Sequence, residues 1–271
     1  MLEPDLSFED YLSRENHIHS SDLKKIFESM NHYEMPNIDK SGYKIGTFGH
    51  VALLEFAEIF KRYLSLPQEY SMIKDKRSVK ARDLKQAYQD KATEENKILV
   101  TFDEWTEVLK WRENILADPV VGEPFEKNLG QNEVSGFFEH PNFPGINGAF
   151  RMDKYLPDLN LIIDLKFMLS ANPRSFFYDC RKYRYDIQAS WYMDGIKALT
   201  GEDYDFIFVV CEKSPPNNVQ AFRLNDKSIE RARADIRGII NKYQEFQNAS
   251  PKRQKMLSGY YDGIYTLDLW S

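Results

Sequence analysis

The chain has 271 residues, 42% of them hydrophobic, which is enough to bury one good core with a small elaboration. No apolar run reaches the roughly 18 residues that a membrane-spanning helix needs, and the N-terminus "MLEPDLSFEDYLSREN" is acidic where a secretory leader starts basic, so a soluble, cytoplasmic protein with no membrane partner is expected. A net charge of −6 argues against coating a polyanion indiscriminately, although a basic channel within an acidic exterior would still guide one.

Residues 20–35 read as a Ser-capped helix with Leu23, Ile26, Phe27 and Met30 on one side, after a His17-x-His19 pair read as loop. Residues 45–64 form a second, more apolar helix carrying His50 one turn before Leu54. Residues 71–98 are highly charged and weakly periodic. They suit a solvated helix or a mobile arm, whose basic start (Lys74, Lys76, Arg77, Lys80, Arg82) could alternatively touch a DNA backbone. Thr101 and Glu104 form a capping box ahead of a helix that Pro119 ends.

Three strands follow, "NEVSGFFEH", "GAFRMDKYL" and "NLIIDLKFM", joined by Pro/Asn/Gly turns. Asn172-Pro173 opens and Gly201 closes one long helix with Ile187, Trp191 and Ala198 towards the sheet. "YDFIFVVCE" and "NNVQAFRL" make a strand pair, and residues 226–249 an amphipathic helix with Ile229, Ala232, Ile236 and Ile240 inward. The fold class is therefore α/β (α+β), a mixed sheet flanked by helices in a single domain. Residues 1–118 are mainly helical, 119–250 form the β-rich core, and 251–271 are an aromatic-rich tail packing on the domain. Cys180 and Cys211 offer neither a disulfide framework nor zinc spacing and are expected as reduced, packed thiols.

The chemistry gathers on the second and third strands. Asp164 and Lys166, two apart, share a face of their strand, and Asp153 on the neighbouring strand can reach the same point. Two hard oxygen ligands can hold Mg²⁺ with several of its waters, and a nearby lysine can orient or deprotonate one of them, which is a phosphodiester-cleaving arrangement. A D-x-K on a strand is also a common solvated ion pair, so the surroundings matter. Along the following helix Arg181, Tyr185, Gln188 and Tyr192 are spaced for one face. Arg174, Arg181, Lys182 and Arg184 are set against only Asp179, so an acidic chain concentrates cations beside the proposed metal, where they and Tyr185 would contact DNA.

In order along the chain, Gly46-x-x-x-His50, Asp153, Asp164-x-Lys166 and Gln188-x-x-x-Tyr192 resemble the motif set of the RecB-type branch of the PD-(D/E)xK nucleases. The likeness runs almost end to end with the RecE-type exonucleases (exodeoxyribonuclease VIII) and their lambda-exonuclease-type phage relatives. "HSSDLKKIFES" is similar to that family's opening helix, "GTFGHVALLE" to its G-T-x-x-H helix and "YYDGIYTLDL" to its closing segment. The resemblance implies a 5′→3′ exonuclease that degrades one strand of linear duplex DNA with Mg²⁺, Mn²⁺ being able to substitute. It also implies a ring-shaped homo-oligomer and a single-strand annealing protein as partner in recombination. It makes Asp153, Asp164, His50 and Glu133 metal ligands, Lys166 the catalytic lysine, and Gln188 and Tyr192 positioning groups. On the residues alone, His50 reads more readily as a hydrogen-bonded core histidine than as a ligand, and the family motif is what moves it to the metal.

Met152 stands where the superfamily has proline, and Asp164 where it commonly has Glu. Proline there shapes backbone and a shorter carboxylate still binds metal, so the chemistry survives both changes. Two other readings remain: a structure-specific or single-strand endonuclease of the same fold, and a non-catalytic DNA-binding scaffold.

Overall fold

A computed structural model describes residues 1–35 and 44–260. In chain order the elements are β1 (Leu2–Glu3), α1 (Phe8–Ser13), β2 (Ile18–His19), α2 (Ser20–Glu28), α3 (Met30–Glu34), α4 (Lys44–Leu54), α5 (Ile59–Arg62), β3 (Tyr63–Ser65), α6 (Gln68–Met72), α7 (Val79–Glu94), β4 (Ile98–Val100), α8 (Phe102–Leu116) and α9 (Glu123–Glu126). The second half adds β5 (Gln131–Glu139), β6 (Asn147–Leu156), β7 (Leu161–Met168), α10 (Pro173–Tyr183), α11 (Tyr185–Thr200), β8 (Asp205–Glu212), β9 (Val219–Arg223), α12 (Asp226–Asn248) and α13 (Pro251–Leu257). The mixed sheet flanked by helices is the architecture expected.

The sheet runs β1-β5-β6-β7-β8-β9, antiparallel except for the parallel β7–β8 pair, and β2 joins β6 in parallel. Strict alternation along β7 and β8 buries both faces. Ile162, Phe206, Phe208 and Val210 pack with Leu23, Ile26, Trp191, Ile196, Ile236 and Ile240 from α2, α11 and α12. Ile163, Leu165, Val209 and Cys211 pack with Phe48, Val51, Trp111 and Ile115 from α4 and α8.

Two glycines set the helices on this sheet. A Cβ at Gly195 would lie 2.6 Å from the Phe150 ring, so its absence lets α11 settle on β6, and one at Gly49 would lie 2.7 Å from the Phe167 ring, so α4 can approach β7. Gly46, the glycine of the sequence motif, has nothing within 4 Å of its Cβ position.

Several predicted boundaries move. The 20–35 helix breaks at Ser29, whose extended backbone and side chain cap α3, and Phe27 is 44% exposed while Leu23, Ile26 and Met30 are fully buried. The 45–64 helix ends at Leu54, and Tyr63–Ser65 instead pairs in parallel with β4 in a second small sheet. The His17–His19 stretch supplies β2 rather than loop, so the N-terminal part contributes strands as well as helices. The 173–200 helix is two helices, broken at Arg184, which adopts the left-handed conformation (φ 50°). That break removes Arg181 from the face of Gln188 and Tyr192, and Ala198 is exposed while Gly195 and Ile196 pack inward. Within 71–98 the charged stretch becomes α7, held down by Ala81 and Ala92. The capping box at Thr101 forms as predicted, and both cysteines are free and buried. From Tyr261 onward the aromatic tail lies outside the described residues, and no described helix is long and apolar enough to cross a membrane.

Candidate active site

The site lies where β6 and β7 part. Their ladder runs Leu156↔Leu161, Tyr155↔Ile162 and Lys154↔Ile163 and then stops, so the next two residues in register, Asp153 and Asp164, face a gap. Asp153 bridges it, its Oδ2 accepting the Leu165 N–H at 2.6 Å.

On the other side of β6, the β5 ladder skips the Glu133/Asp153 pair between Asn132↔Lys154 and Val134↔Met152. Glu133 is left-handed there (φ 54°), a conformation that costs a residue with a Cβ about 1–2 kcal/mol. Strand alternation reverses at this point. Val134 and Met152 face the α11 side, while Asn132, two residues from Val134, donates to Leu54 O of α4 at 2.6 Å and accepts from the buried Lys154 at 2.7 Å. The reversal aims Glu133 and Asp153 into one space.

His50 enters that space from α4, its Nδ1 3.5 Å from Asp153 Oδ1 and its ring edge-on to Phe167. His50, Glu133 and Asp153 each present a ligand atom, all within 4.8 Å of one another. Arg151 holds Glu133 through Nε at 2.8 Å and is itself anchored on Ser135 Oγ and Leu6 O.

Asp164 stands beside this triad, on the neighbouring strand across the same gap. Its Oδ1 accepts a hydrogen bond from Gln188 Nε2, and the Lys166 ammonium lies against Oδ2. Oδ2 is buried, with the Lys166 ammonium as its partner. Gln188 Oε1 accepts in turn from Lys166 Nζ at 3.4 Å, and Tyr185 lies under that ammonium, ring centroid 4.9 Å away. Tyr192 is buried behind Gln188 on α11.

The electrostatics follow from burial set against neighbours. Burial raises the Asp164 carboxyl above its ordinary range; Lys166 opposes this and Asp153 adds to it. Burial also raises Glu133, helped by Asp153 and only partly offset by Arg151. Burial pushes against ionisation of Asp153 too, but His50, Lys166 and the Leu165 N–H outweigh it and hold this carboxyl low. For His50 burial disfavours the proton, and the carboxylates of Asp153 and Glu133 overcome that and raise it. The donor set of one imidazole and two carboxylates that repel each other fits a divalent ion with mainly oxygen ligands.

Of the expected DNA contacts, Arg174, Arg181 and Lys182 are exposed on α10, and Tyr185 is half-buried beside Lys166. Arg184 is already engaged: its guanidinium binds Asp186 at 3.0 Å and Asp235 at 2.6 Å and stacks on Phe27, which makes it a link between helices. Two groups escaped sequence reading. Arg151 looked like an ordinary strand residue, and Lys24 of α2, whose Nζ is 3.5 Å from Gln188 Oε1, is indistinguishable in sequence from any lysine on an amphipathic helix.

Residues 20–256 match the family described as a PDDEXK-like domain of unknown function, DUF3799. The chain belongs to this family. Its fold is accordingly that of the PD-(D/E)xK nuclease superfamily, with Asp153 and Asp164-x-Lys166 at the sheet position just described and Gln188 reaching them from α11. Among solved structures, a "Putative exonuclease" from Eubacterium rectale is 17% identical, the match covering 89% of this chain and 86% of that one at a TM-score of 0.59, which shows a shared fold. An alkaline exonuclease from Laribacter hongkongensis matches over 92% of this chain and 98% of its own at 13% identity, but its TM-score of 0.33 adds nothing to the PDDEXK-like assignment. No curated protein matches the sequence.

Proposed function

We propose that this PDDEXK-like protein is a metal-dependent deoxyribonuclease, a 5′→3′ exonuclease on linear duplex DNA that leaves 3′ overhangs. The observation that carries the reading is the meeting of the His50–Glu133–Asp153 cluster with Lys166 at the parting of β6 and β7. The RecE-type order of the motifs supports the polarity, a single-strand annealing partner and a ring-shaped assembly.

His50, Glu133, Asp153 and Asp164 would hold Mg²⁺ or Mn²⁺. A divalent ion there would supply positive charge opposite phosphate oxygens and make water more acidic. Lys166 is paired with Asp164 and held by Gln188 Oε1, so its ammonium is aimed before substrate arrives and can orient the attacking water and stabilise charge growing on the phosphate. Gln188 is a positioning residue, its amide holding Asp164 with one end and Lys166 with the other. The exposed Arg174, Arg181 and Lys182 would carry the duplex.

A digest of linear duplex labelled at either 5′ or 3′ ends, with Mg²⁺ and beside covalently closed circular DNA, tests the reading. Loss of 5′ label from linear DNA with the circle intact is expected. Cutting of the circle indicates an endonuclease, and no cutting with Mg²⁺ or Mn²⁺ indicates a DNA-binding scaffold. Lys166→Ala and Asp164→Asn should each abolish cleavage and spare much of the DNA binding; wild-type rates in both would overturn the assignment.

A further inference from the structure

Lys24 projects from α2 into the back of the site. Its ammonium is 3.5 Å from Gln188 Oε1, the atom that Lys166 also reaches at 3.4 Å, and the Tyr185 ring lies beneath both cations at 5.3 and 4.9 Å. Gln188 Nε2 donates to the Asp164 carboxylate, which turns Oε1 towards the two ammonium groups and fixes the amide orientation. Lys166 has Asp164 as counter-charge. Among the described residues, no carboxylate lies within 4.0 Å of the Lys24 nitrogen.

Two like charges sharing one neutral acceptor and one ring are an unfavourable arrangement in a half-buried place. Burial and the Lys166 charge both lower the Lys24 pKa, to about 7, and the charges of Asp164 and Asp186 offset them only in part. An anion bound beside Lys24 would complete the compensation. With the carboxylate cluster balanced by its metal, the pair Lys24 and Lys166 leaves a positive excess facing the gap between β6 and β7, and the substrate of the proposed reaction carries one negative charge on each linkage.

We propose that Lys24 is a second substrate-contacting cation, binding a non-bridging oxygen of the phosphodiester that is cut, on the side of Gln188 opposite Lys166. The proposal rests on the nuclease reading and deepens it. Lys166 stays with Asp164 and the water, while Lys24 meets the phosphate; Gln188 Oε1 spaces the two.

A thermodynamic cycle on DNA binding tests it. Wild type, K24M and K24Q are titrated in Ca²⁺ with linear duplexes carrying one neutral methylphosphonate at each of the first three linkages from the 5′ end in turn, and with 5′-phosphoryl and 5′-hydroxyl ends. Removing the lysine and removing the phosphate charge should couple by about tenfold in affinity at one linkage, which a purely structural role for Lys24 cannot produce. In Mg²⁺, K24M should lower kcat/KM by about 100-fold, and K24R should recover part of it. K24Q keeps a polar tip near Gln188 without charge, so a folding defect in one variant leaves the other to decide. Additive effects at all three linkages, coupling confined to the terminal phosphate monoester, or wild-type kcat/KM in K24M would each overturn the proposal. If wild type itself cuts no DNA, the nuclease reading fails instead.

Discussion

Glu133 and Asp153 face each other at the position where the β5–β6 ladder skips a pair, with Glu133 held in a left-handed backbone. Two carboxylates beside one histidine are costly in an ion-free protein, and burial raises Glu133 accordingly. Glu133→Gln removes the charge and keeps an oxygen for Arg151. In EDTA the variant should melt at or above the wild-type temperature, while Mn²⁺ affinity measured by calorimetry should fall by about 10–100-fold. Lost stability with unchanged Mn²⁺ affinity would make Glu133 only a partner of Arg151.

Metal affinity should weaken in acid through His50. A ligand must shed its proton to bind, and the neighbouring Asp153 and Glu133 raise His50 above an ordinary histidine. Protons therefore compete at higher pH than for free imidazole, and Mn²⁺ affinity should drop by about tenfold per unit below that pKa. His50→Ala should bind more weakly at neutral pH but lose this limb, leaving only the decline at lower pH set by Glu133 and Asp164. A Mn²⁺ titration series from about pH 5.5 to 8 checks it, and an identical slope in His50→Ala would remove the histidine from the ligand set.

The meander, the strand pair and the buried faces of α11 and α12 were legible because period-2 and period-3.6 patterns are strong in buried segments such as "NLIIDLKFM" and residues 226–249. Asp164 and Lys166 could be placed together from spacing alone. The reversal at Glu133 could not, because a left-handed glutamate leaves no compositional trace. Nor could the break at Arg184, where the Asp186 and Asp235 carboxylates and the Phe27 ring hold a conformation that local propensity disfavours. Gly49 acts through Phe167, more than a hundred residues away in sequence, and Lys24 through Gln188; both contacts exist only once the chain has folded.

Lys24 should make stability depend on pH in the alkaline direction. Its folded pKa, about 7, lies below the 10.5 of an ordinary lysine, which an unfolded chain approaches, so between these values the unfolded chain binds more protons and unfolding free energy rises with pH. Below about pH 7 the charged, unpaired lysine imposes its full cost, and the penalty is gone above the unfolded value. Lys24→Met should therefore be more stable than wild type near pH 6.5 by about 1 kcal/mol or more, with the difference shrinking towards pH 10. Urea unfolding at several pH values measures this; a Lys24→Met variant less stable at every pH would show that the ammonium contributes to the fold.

Cations near the site divide into those already paired and those available to DNA, and stability and salt dependence should separate them. Arg184→Ala removes two ion pairs and a ring contact, leaving Asp186 and Asp235 without their partner, so it should cost about 1–3 kcal/mol of stability and leave the salt dependence of DNA binding unchanged. Arg181 and Lys182 are exposed and join no carboxylate within 4.0 Å among the described residues, so replacing either by Ala should change stability by less than about 0.5 kcal/mol. Each should instead weaken DNA binding several-fold and lower the slope of log affinity against log salt by about one. Denaturant melts and salt titrations on the same three variants decide between the classes. If Arg184→Ala lowers the salt slope while Arg181→Ala does not, the duplex runs along the α10–α11 break rather than over the exposed face of α10.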